Sequence, residues 1–230
     1  MPHLNRKYLI WDFDGTLAWR PGGCTGAVLS VLQNAAVDIH VTADQIHPFL
    51  QSGFPWHAPE NAHPGITPLE WWEDLQPVLM RTFKGIGVKN GECTSLASQV
   101  RAAYLDPLKW QRYSDSLPAL EKLSACGWKH ILLSNHVPEL PFLLERLGLS
   151  GYFTILFNSA DTGYEKPNPR AFRNALEWIG PDATTWMIGD NFACDVLGAL
   201  EVGLPGILVR KPHPEAPIFC PSLSELVNRV

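Results

Sequence analysis

Two aspartates separated by one residue follow the first apolar segment of the chain. The segment 7–13 reads K-Y-L-I-W-D-F, and Asp12, Phe13 and Asp14 are followed by Gly15. Carboxylates in such a pair can act as nucleophile, as general acid or base, or as ligands of a hard cation such as Mg²⁺. On an ideal strand the two side chains point to opposite faces, so both serve one site only if the chain turns at Asp14, which Gly15 permits.

Three further polar clusters follow later apolar segments. The first is Ser134-Asn135, the second contains Lys166 beside two prolines, and the third contains Asp190 and Asp195. Taken singly, they are also explained as a helix cap, a solvated charge, and a helix start with its first-turn acid. The carboxyl ends of parallel strands meet at one edge of a sheet, where such folds bind ligands. The four clusters together therefore predict one shared site.

The elements that must position these clusters alternate between apolar and amphipathic segments. Strands are predicted at 7–13, 129–133, 153–157, 185–188 and 206–209, and helices at 117–125, 139–147, 169–179, 193–202 and 223–230. Short strands that are buried on both faces and separated by helices favour a parallel sheet with right-handed crossovers. The predicted fold is a three-layer Rossmann-like α/β sandwich.

The segment between the first and second strands has a different pattern. It shows no strand periodicity, and helices are predicted at 27–37, 42–49, 67–83 with a bend at Pro77, and 95–104 after an Asn90-Gly91 turn. Thr67 and Glu70 form a capping-box pattern. The stretch 52–67 is a long irregular loop rich in Pro and Gly, and loops of this kind often carry function. We expect an α/β core domain of residues 1–18 and 110–230 and a helical cap domain of residues 19–109.

Composition limits the function classes. The 230 residues are 46% hydrophobic and 18% charged, which excludes a disordered or fibrous protein. The 18 Lys and Arg against 23 Asp and Glu leave a net charge of -5, so no basic excess favours nucleic acid or an anionic membrane surface. Small-molecule or protein partners are expected.

The apolar segments and the spacing of the cysteines predict where the protein is located. No apolar run approaches the ~20 residues of a membrane span, and the apolar stretch near the N-terminus is too short for a secretory signal. Five scattered cysteines without a C-x-x-C spacing suggest neither a disulfide framework nor a zinc site. A reducing cytoplasm is expected.

The order of the motifs resembles the haloacid dehalogenase-like (HAD) superfamily of hydrolases over essentially the whole chain. The matching motifs are D-F-D-G-T at 12–16, S-N at 134–135, E-K-P-N-P at 165–169 and G-D-N-F-A-C-D at 189–195. The helical insertion between the first two motifs resembles the α-helical cap of one branch of that superfamily. The resemblance implies a Mg²⁺-dependent hydrolase that uses a covalent aspartyl-phosphate.

The resemblance also implies a role for each carboxylate. Asp12 is the expected nucleophile, and Asp14 is the expected acid and base. The Asp12 and Asp190 carboxylates and the main-chain carbonyl of Asp14 are the expected Mg²⁺ ligands, with Asp195 supporting them without binding the ion directly. An acid at position 14 favours phosphate esters, because the resemblance implies that dehalogenases and phosphonate-cleaving members have no aspartate there.

Donors around the phosphoryl group complete the expected site. A carboxylate attacks a phosphate dianion only where cations and donors offset their repulsion. Lys166 is expected to neutralise the phosphoryl group and orient Asp12. Ser134 and backbone N–H groups near Phe13, Asp14 and Asn135 are expected to donate to its oxygens.

Three readings of function remain open. A phosphatase of a small phosphomonoester is preferred, a phosphomutase would use the same Asp12 and Asp14, and a non-catalytic binding module would keep the scaffold without turnover. Four basic against seven acidic residues between 20 and 100 disfavour a polyanionic leaving group, unless one arginine is well placed.

Several side chains are left without an assigned role. Cys194 is expected to be buried, and Arg210-Lys211 to be a surface pair. Substrate contact stays open for five aromatic residues of the helical segment: Trp56, His57, His63, Trp71 and Trp72.

Overall fold

The computed structural model describes residues 6–35, 37 and 39–230. The strands in these residues are β1 (Lys7–Trp11), β2 (Ala18–Trp19), β3 (Gln111–Arg112), β4 (Trp128–Ser134), β5 (Phe153–Asn158), β6 (Thr184–Gly189), β7 (Gly206–Val209) and β8 (Phe219–Cys220). Six of them form one sheet in the order β5-β4-β1-β6-β7-β8, and every neighbouring pair in it is parallel. The predicted parallel α/β sheet is confirmed.

The helices carry the remaining regular structure. They are α1 (Gly23–Asn34), α2 (Ala43–Ile46), α3 (Pro68–Gly85), α4 (Asn90–Tyr104), α5 (Ser116–Ala125), α6 (Leu140–Arg146), α7 (Ser159–Thr162), α8 (Pro169–Ile179), α9 (Gly198–Leu200) and α10 (Leu223–Leu226). A π-helical stretch, Phe192–Leu197, leads directly into α9. In the described residues, no helix has both the length and the apolar character that a membrane span requires.

Alternate residues of the central strand feed two separate cores. Leu9 and Trp11 of β1 belong to a cluster that includes side chains of α5, α6 and the helices between β1 and β4. Tyr8 and Ile10 belong to a second cluster, with Ala171 among its α8 residues. Because successive strand residues face opposite sides, this division makes the sheet the middle of three layers.

The helical insertion, which we define as residues 20–109, lies between β2 and β3 along the chain. Its longest helix, α3, begins at the predicted capping box, where Glu70 Oε2 accepts from the Thr67 backbone N–H (2.7 Å) and Thr67 Oγ1 accepts from that of Glu70 (3.3 Å). Pro68 occupies the first turn, where its missing N–H costs nothing. Buried side chains of α1, α3 and α4 share the larger core cluster.

Several predicted helix ends were wrong. α1 begins at Gly23 and ends at Asn34, whereas the sequence predicted a helix over 27–37. The prediction extended too far because Val37, which packs on the core from outside the helix, continues the apolar pattern. Ala36 and Asp38 lie outside the described residues. α4 begins at Asn90, so the Asn90-Gly91 pair forms an exposed first helical turn and not a preceding turn. The helix predicted for 223–230 ends at Leu226.

Two short pairings were not predicted. β2 and β3 form an antiparallel ribbon close to the expected domain boundaries at 19 and 109, which stay predictions. β8 lies in the proline-rich stretch 212–221, and it adds a sixth strand beside β7. Each of these three strands has two residues, too few for an alternating pattern.

Candidate active site

The loop after β1 turns as the Asp12-Asp14 spacing required. Gly15 has φ +87, in the left-handed region that favours glycine, and a Cβ there would lie 2.3 Å from Asp190 Oδ2. The turn brings Asp12 and Asp14 into the wall of one cavity. Glycine is therefore required at position 15 for two reasons, the backbone angle and the close approach of Asp190.

The cavity has a volume of about 320 Å³ and lies at the carboxyl edge of the sheet. It is lined by Asp12, Asp14, Gly23, Cys24, Trp56, Tyr104, Asn135, His136, Lys166, Asp190, Asn191, Cys194, Asp195 and Lys211. All four sequence clusters contribute to this wall, so the segments that were predicted to share a site do come together.

Asp12 is held at the centre of a buried polar network. Its Oδ1 accepts from Lys166 Nζ (2.8 Å) and from Ser134 Oγ (3.0 Å). Lys166 Nζ also lies 2.6 Å from Asp195 Oδ1. Lys166 and Asp195 are almost fully buried, so these ion pairs are shielded from solvent and fix the orientation of Asp12.

Burial and charge act against each other in this network. Burial alone lowers the pKa of Lys166, but the Asp12 and Asp195 carboxylates outweigh burial and raise that pKa above its usual range. Burial raises the pKa of Asp195, while Lys166 opposes the rise. The lysine is therefore held as a cation between two acidic groups.

Asp14 has a different environment. Its side chain is exposed to the cavity and not packed into the core. The surrounding protein nevertheless shields the Asp14 carboxyl group from water, and this desolvation is the largest cause of its raised pKa. Repulsion from Asp12 and Asp190 adds to it, and the pKa of Asp14 rises to about 7. A carboxyl group with such a pKa both donates and accepts protons near neutrality.

Asp190 follows β6 and meets two donors. Thr16 Oγ1 lies 3.3 Å from Asp190 Oδ1 and 3.3 Å from Asp12 Oδ2, so its one proton serves either carboxylate. Lys211 Nζ lies 2.5 Å from Asp190 Oδ2. Burial and then repulsion from Asp12 raise the pKa of Asp190, and Lys211 lowers it. Thr16 and Lys211 were not among the predicted site residues.

The Arg210-Lys211 pair, expected on the surface, lies there only in part, because Arg210 is half-buried whereas Lys211 is exposed. Arg210 donates to Asp115 Oδ1 (2.7 Å) and Oδ2 (3.0 Å) and to the Thr16 carbonyl (2.9 Å), which ties the end of β7 to the loop after β1. Lys211 lines the cavity. The signal was available, because these residues directly follow a predicted strand of the same sheet.

The side chains of Asn135 and Phe13 make contacts within the protein that the sequence did not predict. The Asn135 side chain donates from Nδ2 to the Lys166 carbonyl (2.8 Å), and its Oδ1 accepts from the Lys166 backbone N–H (2.7 Å). It therefore clamps the loop that carries Lys166. The Phe13 ring is fully buried against Trp110 and His136, so its side chain belongs to the core.

Of the five aromatic residues left open, only Trp56 reaches this cavity. Trp72 Nε1 donates to Glu139 Oε2 (3.1 Å), which links α3 to the start of α6. Trp71, His57 and His63 line a separate cavity within the insertion. Cys194, in the π-helical stretch after β6, is half-buried in the wall of the first cavity and not in the core. Burial raises the pKa of the Cys194 thiol to about 11.

The irregular loop 52–67 is attached to the loop that carries Lys166. The His63 backbone N–H donates to the Gly163 carbonyl (2.9 Å), and Asn168 Nδ2 donates to the Pro59 carbonyl (2.9 Å). His63 Nε2 lies 3.2 Å from Oε1 of the buried Glu165. These contacts hold Trp56 above the carboxyl edge of the sheet.

The acidic side chains fit a hard divalent cation. One carboxylate oxygen from each of Asp12, Asp190 and Asp195 lies within 4.8 Å of the other two. Oxygen ligands of this kind suit Mg²⁺. Asp195, which was expected to support the metal ligands without binding the ion, is one of these three residues, and its oxygens accept from Lys166 Nζ and the Asn191 backbone N–H.

The carboxyl edge of the parallel sheet brings together an Asp-x-Asp turn, a hydroxyl group, a buried lysine and a further acidic loop. Together with the inserted helical segment, these features define a class of hydrolases. The chain belongs to the haloacid dehalogenase-like hydrolase family, whose family model matches residues 7–203.

Relatives of known sequence support this membership. A haloacid dehalogenase-like hydrolase domain-containing protein 3 from Bos taurus is 32% identical, over 97% of this chain and 93% of its own. A phosphoserine phosphatase from Thermus thermophilus is 31% identical, over 70% of this chain and 65% of its own. Phosphatases are therefore among the relatives.

Solved structures support the fold alone. A magnesium-bound structure of YfnB from Bacillus subtilis superposes with a TM-score of 0.78 at 20% identity, covering 98% of both chains. A 2-haloacid dehalogenase from Pseudomonas syringae also shares the fold, with a TM-score of 0.66 at 20% identity and 97% coverage of both chains. The fold is thus common to phosphatases and dehalogenases, and the site must separate them.

Proposed function

We propose that this protein is a Mg²⁺-dependent phosphatase that hydrolyses a small phosphomonoester through an aspartyl-phosphate on Asp12. The observation that carries the proposal is Asp14, which lines the same cavity as Asp12 and whose pKa is raised to about 7. A dehalogenase expels a halide and needs no acid there. A phosphate ester expels an alkoxide, which needs a proton.

In the first step, a carboxylate oxygen of Asp12 attacks phosphorus. The new P–O bond forms to Asp12 as the P–O bond to the alcohol breaks, and Asp14 gives its proton to the leaving oxygen. Lys166 and Ser134 already contact Asp12 Oδ1, so they orient the nucleophile. The products are the free alcohol, a phosphorylated Asp12 and an ionised Asp14.

In the second step, Asp14 takes a proton from water as the water oxygen attacks phosphorus. The P–O bond to Asp12 breaks, which releases inorganic phosphate and restores both side chains. Lys166 compensates the charge of the phosphoryl group in both steps, and backbone N–H groups near Phe13, Asp14 and Asn135 donate to its oxygens.

Asp12, Asp190 and the main-chain carbonyl of Asp14 would hold Mg²⁺, with Asp195 beside them. When bound, the ion neutralises charge on the phosphate and so reduces its repulsion by the carboxylates. The position of the carboxylates supports this assignment, because one oxygen from each of Asp12, Asp190 and Asp195 lies within 4.8 Å of the other two. We also propose a cytoplasmic location, which fits the five free cysteines.

The test is phosphate release from a panel of phosphomonoesters, measured with Mg²⁺ and with EDTA. We expect release from at least one ester, its loss with EDTA, and its loss in Asp12→Asn. Hydrolysis by Asp12→Asn near the wild-type rate would remove the covalent scheme.

The same panel separates the alternatives. An isomerised sugar phosphate whose formation is stimulated by a bisphosphate identifies a phosphomutase. Failure to hydrolyse any ester, together with tight binding of a protein partner, identifies a non-catalytic module.

A further inference from the structure

We propose that the alcohol released by this phosphatase is uncharged, presents an apolar face to Trp56 and Tyr104, and donates a hydrogen bond to Nε2 of His136. The inference rests on the proposed function and specifies its substrate class. It excludes phosphate esters whose alcohol carries a carboxylate.

The charges of the residues that line the cavity disfavour a carboxylate on the leaving alcohol. Four carboxylates line the cavity, from Asp12, Asp14, Asp190 and Asp195, and the lysines that line it, Lys166 and Lys211, are each already paired with one or two of them. The insertion adds Gly23, Cys24, Trp56 and Tyr104, none of which is charged at neutral pH. A carboxylate on the leaving alcohol would therefore face acidic groups with no free cation among the described lining residues.

Two insertion side chains that can ionise are held neutral. Burial raises the pKa of the Cys24 thiol to about 12, and burial raises that of Tyr104 well above its ordinary value. This part of the wall therefore carries no negative charge of its own. It offers an apolar surface instead.

Neither of the two arginines between residues 20 and 100 lines the cavity. Arg20 is the buried basic residue of the insertion, but its guanidinium donates to the carbonyls of Gly23 (2.7 Å) and Ala103 (3.1 Å). It therefore joins α1 to α4 from behind the cavity wall. The other basic residues of the counted segment, Arg81, Lys84 and Lys89, are exposed on the insertion surface.

The second argument is the aromatic surface. The half-buried ring of Trp56 stacks on Phe54 (4.8 Å between centroids, 17° between planes), so one neighbour fixes its orientation. Tyr104 is packed against Trp110 (5.6 Å) and His136 (6.0 Å). Rings held in this way bind the flat or CH-rich face of a ligand at little entropic cost.

The third argument is an unpaired buried acceptor. His136 is only 2% exposed, and its Nε2 has no hydrogen-bond partner although the residue lines the cavity. Its Nδ1 lies 3.4 Å from the Val137 carbonyl oxygen, which only accepts, so the proton belongs on Nδ1 and Nε2 is an acceptor. A buried acceptor without a partner costs free energy, which a hydroxyl or N–H donor on the substrate recovers.

Charge is tested with matched substrates. We compare kcat/KM for glycerol 3-phosphate with that for 3-phosphoglycerate, and for phenyl phosphate with that for 4-carboxyphenyl phosphate, in the wild-type enzyme with Mg²⁺. Each pair differs mainly by a carboxylate. We expect at least tenfold preference for the uncharged member of each pair.

The ring and the acceptor are tested with variants. Trp56→Leu should raise KM for phenyl phosphate several-fold, while Trp178→Leu, an exposed tryptophan of α8 that does not line the cavity, serves as its control. His136→Phe should lower kcat/KM for glycerol 3-phosphate by a larger factor than kcat/KM for ethyl phosphate, which lacks the extra hydroxyls.

The outcomes separate the two proposals. No phosphate release from any ester overturns the proposed function and the inference with it. Release that is equal within each charge pair, or that favours the carboxylates, overturns the inference and leaves the phosphatase standing. If His136→Phe does not fold, the charge pairs on the wild-type enzyme still decide.

Discussion

The two walls of the catalytic cavity differ in nearly every physical respect. The wall built from strand ends is charged and tightly hydrogen-bonded, with Lys166 between two carboxylates at 2.8 and 2.6 Å. The wall built from the insertion is neutral and aromatic, with Trp56 and Tyr104 as its rings. We infer from this difference that the sheet edge breaks the bond and that the insertion selects the leaving group.

The insertion and the sheet domain are joined at several places, and one of them lies beside Lys166. Loop 52–67 contacts the loop that carries Lys166 through His63 and Asn168, so the ring above the cavity and the lysine beneath it share one support. Changes in the charged wall should therefore act on kcat, and changes in the neutral wall should act on KM and on substrate choice.

The largest effect is expected from the acid of the charged wall. Asp14→Asn should lower hydrolysis of an alkyl phosphate by about 10²- to 10⁴-fold, the usual contribution of a general acid or base. Phosphorylation of the enzyme by 4-nitrophenyl phosphate should fall much less, because 4-nitrophenolate leaves without a proton. Single-turnover release of each alcohol measures both effects. Asp161→Asn, the same change at an exposed position outside the cavity, is the control.

One residue of the cavity wall that follows β4, His136, is predicted to make the stability of the protein depend on pH. Burial lowers the pKa of His136 from 6.5 to about 4 in the folded protein. The unfolded chain binds this proton first, so the stability contributed by the neutral ring is complete above pH 6.5 and is lost as the pH falls toward 4. By pH 5 the loss amounts to about 2 kcal/mol.

Urea unfolding at pH 8 and pH 5 measures this loss. The difference in unfolding free energy between the two pH values should be smaller by that amount in His136→Phe, which has no titrating ring. An identical pH dependence in wild type and variant would contradict the assignment of a neutral His136.

A smaller effect is expected at the edge of the charged wall. Lys211→Met removes the cation paired with Asp190 and leaves four carboxylates opposed by Lys166. We expect about a tenfold lower kcat/KM, with a difference that shrinks as salt is added because the Lys211 side chain is 72% exposed. Lys109→Met, at an exposed position away from the cavity, should change neither value. Equal behaviour of the two variants would show that Lys211 is a surface charge without a role in the site.

The smallest effect concerns the contact between the walls. Gly163 and Gly203 have almost the same φ, +77 and +76, but a Cβ on Gly163 would lie 2.3 Å from Pro64 N, whereas one on Gly203 meets no atom within 4 Å. Alanine should cost about 1 kcal/mol at either position from the left-handed backbone alone.

Gly163→Ala should in addition displace loop 52–67 and raise KM for phenyl phosphate a few-fold, with kcat nearly unchanged. Thermal unfolding and steady-state kinetics on both variants measure the two effects. A KM that rises equally in Gly203→Ala would show that the docked loop does not position Trp56.

The charged wall could be predicted from the sequence because the rule behind it is topological. Residues that follow parallel strands meet at one edge, so Asp12, Ser134 and Asp190 follow from strand assignment alone. Lys211 was missed although the same rule covers it, because the last strand was predicted and the two residues after it were read only as surface charges.

The neutral wall could not be predicted in the same way. Trp56 lies in a single 3₁₀ turn, Pro55–His57, and the position of this turn depends on tertiary hydrogen bonds from His63 and Asn168 that leave no periodic pattern. Adjacent Trp71 and Trp72 look alike in the sequence, yet one lines the second cavity and the other bonds to Glu139. The unpaired Nε2 of His136 is likewise visible only once the ring is placed.

The proposed function requires that Asp12 carries the phosphoryl group during turnover. The most direct measurement is mass spectrometry of acid-quenched Asp14→Asn after incubation with 4-nitrophenyl phosphate and Mg²⁺, since this variant can form the intermediate but lacks the base that hydrolyses it. We predict one phosphoryl group on the peptide that contains Asp12. An unmodified Asp12 in enzyme that is still releasing 4-nitrophenolate at each turnover would contradict the account.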